Sequence, residues 1–463
     1  MDAAAYRSFI QSFLGKMTID IEVLDAIAQP TNSLVVASAP DAKAVRQPNA
    51  FLAQVRPFPT ERKPRYDALY SNGRVGMSSV LEDVCERQDD SEFFHPSEEH
   101  MLTARILVGA VRDAYTRKDP STPEFAGRLA LQARYLQSPG IDPFPKADVA
   151  GLCTVIAGPP GIGKGAFRRR IRAYLGEQPV PHKNPSPATH FVWQMKYLEM
   201  PFPSNMKVES LISQLLMHMD ARVRGVAFKD SQRQAAKSNL ARLRLFTHAG
   251  MVGLGLLYMY DLDGSKLSRR PASECLDFLC EFAEYTGVPV VCSSTYSIFG
   301  VLDGSSGGAL TLANGGVRRF DYMRLDSDWR NLVNGFLMQY KLTVGSTNIA
   351  FAADKAIPER LMPSERAFVE SVSWFEGCLM VETLGLPELL FTFLGFLWQV
   401  LSKKNANRTV IEKGDFDFAA AQYRKGSGLL RSNLFILLTK ERCSQVEVNR
   451  FPDWITPEQR GEK

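Results

Sequence analysis

The chain has 463 residues, 45% of them hydrophobic, and a formal net charge of +5. That length exceeds what one compact core serves, so two or three domains are expected. The nearly balanced charge excludes a polycation and leaves only local basic clusters for any nucleic-acid contact. Seven scattered cysteines, none in C-x-x-C spacing, point to a reduced cytoplasmic protein with neither a disulfide framework nor a zinc site. The N-terminus has no basic stretch followed by an apolar core, so no secretory leader is expected.

In chain order, residues 1–145 have weak periodicity. Pro30, Pro40, Pro48, Pro57, Pro59 and Pro64 predict an irregular or extended arm over 30–65. Met101, Leu102, Ile106, Leu107, Ala110, Val111 and Ala114 recur at helical spacing and predict a helix over 99–117, with another near 124–137. His95 and His100, the nearest histidine pair, have no cysteine close by and read as surface residues. This region is expected to bind a partner.

The pattern changes at 146. Residues 152–157 read as a buried strand and 166–175 as a helix. Between them, Gly158-Pro159-Pro160-Gly161-Ile162-Gly163-Lys164-Gly165 fits G-x-x-x-x-G-K-[ST] at every position but the last, and Ala166 follows. Further strands are predicted at 189–198, 254–261 and 288–294, and helices at 207–224, 230–248 and 275–283. Strands alternating with helices imply an α/β domain over 146–350 with a parallel sheet and helices on both faces.

Helices at 364–380, 386–402 and 412–424 predict an α-helical unit over 351–430, followed by a tail over 431–463. The apolar run 384–401 approaches membrane-spanning length. Pro387 and Glu388 mark a helix start within it, and the apolar remainder of about 13 residues falls short of the ~20 a span needs. A buried helix is expected, and no membrane.

The glycine loop carries the chemistry. Glycines let the backbone approach phosphates, successive N–H groups point inward, and the helix N-terminus adds partial positive charge. Lys164 would reach the β- and γ-phosphates, whereas the hydroxyl that holds Mg²⁺ is missing at Gly165. Asp261, ending a hydrophobic strand, is the candidate for the magnesium shell. A water-activating acid would sit next to it, but that residue is Leu262; Asp263 could serve only if the strand end were bulged by one residue. The competing reading is that 261–264 is a turn closing a core strand. Thr295, at the end of the next strand, could meet the γ-phosphate or the lytic water, or merely cap that strand end.

Beyond the loop, several segments follow in order: Phe191-Val192-Trp193-Gln194-Met195-Lys196, then Pro201-Phe202-Pro203-Ser204, and Leu243-Arg244-Leu245-Phe246-Thr247-His248-Ala249-Gly250. The Asp261 strand comes next, then Gly287-Val288-Pro289-Val290-Val291, ending in Ser294-Thr295. This order resembles the TnsC/TniB family of AAA+ ATPases, regulators of DNA transposition, over about 145–430. The resemblance implies a P-loop AAA+ core with a helical lid, and ATP and Mg²⁺ as cofactors. It also implies homo-oligomeric rings or helical filaments around duplex DNA that link a target-selector protein to the transposase. It departs from the family at Gly165 and Leu262, which puts turnover in doubt and leaves nucleotide binding plausible.

The family completes each site with an arginine from the next subunit, and Val317-Arg318-Arg319-Phe320 stands where Arg318 or Arg319 would be that finger. Arg222, Arg224, Lys229, Arg233 and Lys237 form a basic helical stretch suited to DNA phosphates. Lys196 and Lys207 flank the loop after the second predicted strand, which faces DNA in related filaments. Such contacts would carry no sequence readout. Arg168, Arg169, Arg170 and Arg172 read as facing solvent or a neighbouring subunit. The alternatives are another P-loop ATPase or kinase, and a degenerate P-loop scaffold.

Overall fold

The computed structural model describes residues 49–72, 93–120, 122–137, 145–182, 192–223, 239–304, 311–345, 357–362, 372–404 and 409–461. A five-stranded sheet lies at the centre: β1 (Cys153–Ala157), β2 (Leu198–Pro201), β3 (Leu257–Leu262), β4 (Val290–Ser294) and β5 (Val317–Arg319). Its order is β2-β3-β4-β1-β5, and every neighbouring pair is parallel. β1 and β4 are buried at every residue. This explains why they read as continuous apolar runs rather than alternations.

The helices are α1 (Glu98–Thr116), α2 (Pro123–Gln137), α3 (Lys164–Leu175), α4 (Val208–Arg222), α5 (Asn239–Met251) and α6 (Ala272–Thr286). They continue with α7 (Ser327–Gln339), α8 (Trp374–Thr383), α9 (Pro387–Lys404), α10 (Lys413–Leu438), α11 (Gln445–Arg450) and α12 (Pro457–Arg460). α4, α5 and α6 cover one face of the sheet, packing Leu215, Leu245 and Phe278 with Val155, Leu257 and Met259. α3 covers the other, where Phe167 and Ile171 meet Ile156, Tyr258 and Val291. The N-terminal region joins this second core through Phe51, Phe94, Leu107 and Val111, and α8–α10 join it through Phe375, Phe393 and Phe416.

α1 starts in a capping box between Ser97 and His100. At its far end Tyr115 Oη donates to the Gly253 carbonyl (2.8 Å), and Lys118 Nζ donates to that of Leu254 (3.1 Å). Both bonds tie the N-terminal region to the approach to β3. Burial, with the charges of Arg128 and Arg117 acting in the same direction, pushes the Lys118 pKa down to about 7.

Three boundaries differ from expectation. The predicted strand at 189–198 covers two elements. Val192–Gln194 pairs antiparallel with Val180–His182, and the sheet strand β2 begins only at Leu198. Apolar residues run on through Met200, so periodicity cannot place the break. β2 is an edge strand, which tolerates Pro201. Secondly, β5 falls on the Val-Arg-Arg segment, too short and too charged to show a strand period. Thirdly, α10 runs to Leu438, and 439–461 folds back with α11 and α12, where a tail was expected. The predicted helix at 230–248 is described only from Asn239, as α5. Among the described residues no single helix is long and apolar enough to cross a membrane. Trp374–Thr383 and Pro387–Ser402 pass that test only as a pair bent by 117°.

The end of β3 is irregular. Met259 pairs with Cys292 but Leu262 with Ser294, so three steps along β3 oppose two along β4, a one-residue bulge. Asp261 takes the left-handed conformation (φ 59°), which Asp tolerates better than most residues. The extra residue moves Leu262 onto the face of Leu257 and Met259, where it is 1% exposed. Leu262 is therefore a core side chain and does not occupy the place of a water-activating acid. Substituting Leu262→Glu, which would restore Asp-Glu in the sequence, is expected to lower stability by ~3 kcal/mol or more without raising hydrolysis. Chemical denaturation with a parallel phosphate-release assay checks both parts.

Candidate functional site

The parallel register brings the C-terminal ends of β1, β3, β4 and β5 to one level, and a cleft of about 1540 Å³ opens there. The glycine loop forms its floor. Gly161 (φ 78°) and Gly163 (φ 100°) lie in the region closed to most side chains, and Gly163 is the N-cap of α3. Lys164, at the first position of α3, turns its Nζ back to the carbonyls of Gly158 (2.6 Å) and Pro159 (2.8 Å). Burial pushes its pKa down to about 7, while the charges of Asp453 and Glu388 pull it back up. An anion placed against Lys164 would relieve that desolvation. The residues present thus fit a polyphosphate.

Of the remaining loop residues, Pro160, Ile162 and Ala166 also line the cleft. A Cβ built on Gly165 would meet only the Arg169 Nη1, at 3.8 Å, so a hydroxyl residue has room there. Among the described residues no group of three His, Cys, Asp or Glu is placed to hold a metal ion. Asp261 is the strand-end carboxylate in this cleft that could meet Mg²⁺.

Asp261 is exposed in the cleft wall, and its backbone carbonyl accepts from Lys266 Nζ (2.5 Å). Asp263 meets the bulge condition, but its Oδ1 already accepts from Ser265 Oγ (2.7 Å) and Lys266 N (2.9 Å), capping the short helix Gly264–Leu267. The same residue thus carries both the cap and the candidate acid. Thr295 is 8% exposed; its N–H donates to the Leu262 carbonyl (3.0 Å) and its hydroxyl lies 2.6 Å from Ser297 Oγ. The Thr295 hydroxyl also donates to Asp453 Oδ1.

The two candidate finger arginines diverge. Arg319 lines its own chain's cleft, paired with Asp321 (3.1 Å) and Glu458. Burial pushes the Glu458 carboxyl up, but hydrogen bonds from Arg319 outweigh it and hold the pKa at about 2. Arg318 turns away to Glu99 of α1 (3.9 Å). Each is about a third exposed, at 30% and 32% for the side chains.

Of the proposed DNA-facing cations, Lys196, Lys207 and Arg222 lie among the described residues. Lys196 precedes β2, near Gly176 at the end of α3, while Lys207 caps α4 beyond the other end of β2. They flank the strand itself and share no loop. Arg222 Nη2 pairs with Glu177 (2.9 Å) and its Nη1 donates to the Tyr197 carbonyl (3.0 Å). Arg224, Lys229, Arg233 and Lys237 lie outside the described residues. Two of the arginines after the glycine loop are inward partners: Arg168 and Arg172 both bond Glu199 of β2, at 3.5 and 3.2 Å.

Three parts of the cleft had no sequence signal. Asp453 comes from the predicted tail. Glu388 lies at the start of α9, where its N–H donates to the Gly161 carbonyl (3.1 Å). Residues 93–100 form an aromatic wall in which His100 packs on Phe94, Phe167 and Phe320. His95 and His100 are thus half-buried in this wall, where free surface residues were expected. Desolvation lowers them to about 4 and about 3, so both stay neutral at physiological pH.

Two outcomes follow from this geometry. Asp261→Asn keeps the backbone tolerance and removes the charge, so magnesium-dependent nucleotide binding should fall with stability unchanged; Asp261→Ala should in addition cost about 1 kcal/mol. Thermal denaturation and titration with and without Mg²⁺ separate the two. Lys164 is neutral above about pH 7 and should be charged when it faces phosphate. Binding then takes up a proton, and affinity should fall by up to ~10-fold per pH unit above 7. Calorimetry in buffers of different ionisation enthalpy counts that proton.

No protein-family description matches the chain, and no curated protein matches it. Among solved structures it is similar to the Thermotoga maritima RuvB Holliday junction branch migration motor, at 12% identity and a TM-score of 0.33, over 71% of this chain and 76% of that one. PCH-2 of C. elegans overlaps at 11% identity and a TM-score of 0.30, over 66% of this chain and 68% of that one. The fold stands on its own strand order and loop: an α/β fold with a five-stranded parallel sheet, flanking helices, and a glycine-rich loop between β1 and α3.

Proposed function

We propose that this chain is an ATP-binding AAA+ regulator of DNA transposition that uses nucleotide to control assembly, with slow hydrolysis. The observation that carries the nucleotide reading is Lys164, half-buried at the head of α3, whose Nζ donates to the loop carbonyls of Gly158 and Pro159. Gly158 to Ala166 would cradle the phosphates, Asp261 would hold Mg²⁺, and Thr295 would face the terminal phosphate. Bound Mg²⁺ would supply charge neutralisation on the phosphate oxygens. Gly165 offers no oxygen and Asp263 is engaged as a cap, which supports slow turnover.

The transposition reading rests on the ordered motifs. It holds that copies of the chain form a ring or filament on duplex DNA and connect a target selector to the transposase. The partner-binding role of 1–145 and the lid role of 351–430 belong to it. A second reading, a nucleotide-binding scaffold without DNA-linked assembly, draws support from Arg222, whose charge is already spent on Glu177.

Electron microscopy with duplex DNA and a slowly hydrolysed ATP analogue tests the first reading. Regular DNA-bound assemblies that vanish with Lys164→Ala are the expected result. Nucleotide binding without any assembly on DNA would sink the transposition reading and leave the scaffold. Unchanged nucleotide affinity after Lys164→Ala would argue against the cradle itself. Gly165→Thr, which fits sterically, should raise the hydrolysis rate about 10-fold or more if the missing hydroxyl limits turnover.

A further inference from the structure

The 451–461 segment brings two carboxylates to the cleft from the far end of the chain. Asp453 Oδ1 accepts from the Thr295 hydroxyl and from the Gly264 N–H (2.8 Å). Glu458 takes the Arg319 guanidinium, its Oε2 lying 3.2 Å from Nη2. The segment is firmly seated. Ile455 is fully buried, Tyr322 Oη donates to the Trp454 carbonyl (3.1 Å), and Gln459 Nε2 donates to the carbonyls of Leu437 (2.6 Å) and Lys440 (3.0 Å) at the end of α10. Gly264 permits the approach, since a Cβ there would come within 2.9 Å of Pro452.

Thr295, Arg319 and Lys164 line one cleft, and each is a donor suited to an anion. Two of them are already bonded to carboxylates of this segment, and Asp453 lies close enough for its charge to be felt at Lys164. A carboxylate accepting these bonds occupies the donors that a terminal phosphate would use, and its charge repels that phosphate. We propose that Asp453 and Glu458 form a latch that the γ-phosphate of a nucleoside triphosphate displaces, so that triphosphate but not diphosphate releases the 451–461 segment.

This latch rests on the nucleotide reading above. It converts the presence of a third phosphate into movement of the C-terminal segment. The aspartate is a competitor for the phosphate, so its removal strengthens binding, the opposite of what loss of a phosphate-holding residue would do. Diphosphate lacks the competing group and leaves the latch closed.

The test uses the full chain with ATPγS and ADP in titration calorimetry. Asp453→Asn keeps an acceptor for Thr295 and Gly264 while removing the charge. Its affinity for ATPγS should rise about 10-fold and its affinity for ADP stay within ~2-fold of wild type, because only the triphosphate competes with the closed latch. Glu458→Gln should act in the same direction. In the wild-type chain, amide exchange over 451–460 should speed up with ATPγS and stay unchanged with ADP. Equal effects on both nucleotides, weaker ATPγS binding in Asp453→Asn, or no exchange response at saturating ATPγS would each overturn the latch while leaving the nucleotide site standing. Failure of wild type and both variants to bind either nucleotide would overturn the nucleotide reading and the latch together.

Discussion

The parallel pairing of β1 with β4 and β5 is the constraint on which the cleft depends. Ala157, Ser294 and Arg319 lie across from one another at the strand ends, so the glycine loop, Thr295 and the candidate arginine emerge at one level. Parallel strands need long crossovers, and here those crossovers are helices that bury both faces. The sheet cannot shift register by one residue without turning Val155 and Ile156 onto the wrong cores. The positions of the polar groups therefore follow from apolar packing beneath them.

The bulge in β3 is a local exception with chemical consequences. One extra residue pushes Leu262 into the core, exposes Asp261 on a left-handed backbone, and moves Asp263 up to the cleft edge. In the linear sequence, Leu262 reads as a lost acid. In the fold it is a packed side chain, and the open question of hydrolysis moves to Asp263 and Gly165. One of the two departures from the family pattern is thus a consequence of strand geometry.

Closure of the cleft comes from both ends of the chain. Aromatic residues of 93–100 form one wall, the start of α9 touches Gly161, and Asp453 reaches Thr295 from more than 150 residues away. Burial at the floor of the cleft pushes the pKa of Lys164 down. The anions whose charge reaches Lys164 are Asp453 and Glu388, from the last segment and from the start of α9.

Much of this was legible in residues 146–294 alone. The glycine loop between an apolar run and a helix, and the alternation that follows, determined the α/β class and pointed to a phosphate-binding loop, because backbone access to phosphate needs glycine wherever it occurs. Helical periodicity likewise placed α1, α6 and α9 to within a few residues. What periodicity could not reach were the β2 boundary inside one long apolar run, the three-residue β5, and the bulge, which needs the partner strand to be seen at all. Nor could it show that Arg168, Arg172 and Arg222 are spent on Glu199 and Glu177, since a charge pattern says nothing of what stands opposite. The tertiary structure alone decided that Asp453 and Glu458 face Thr295 and Arg319: contacts across such separations arise from how whole elements pack, and no local spacing encodes them.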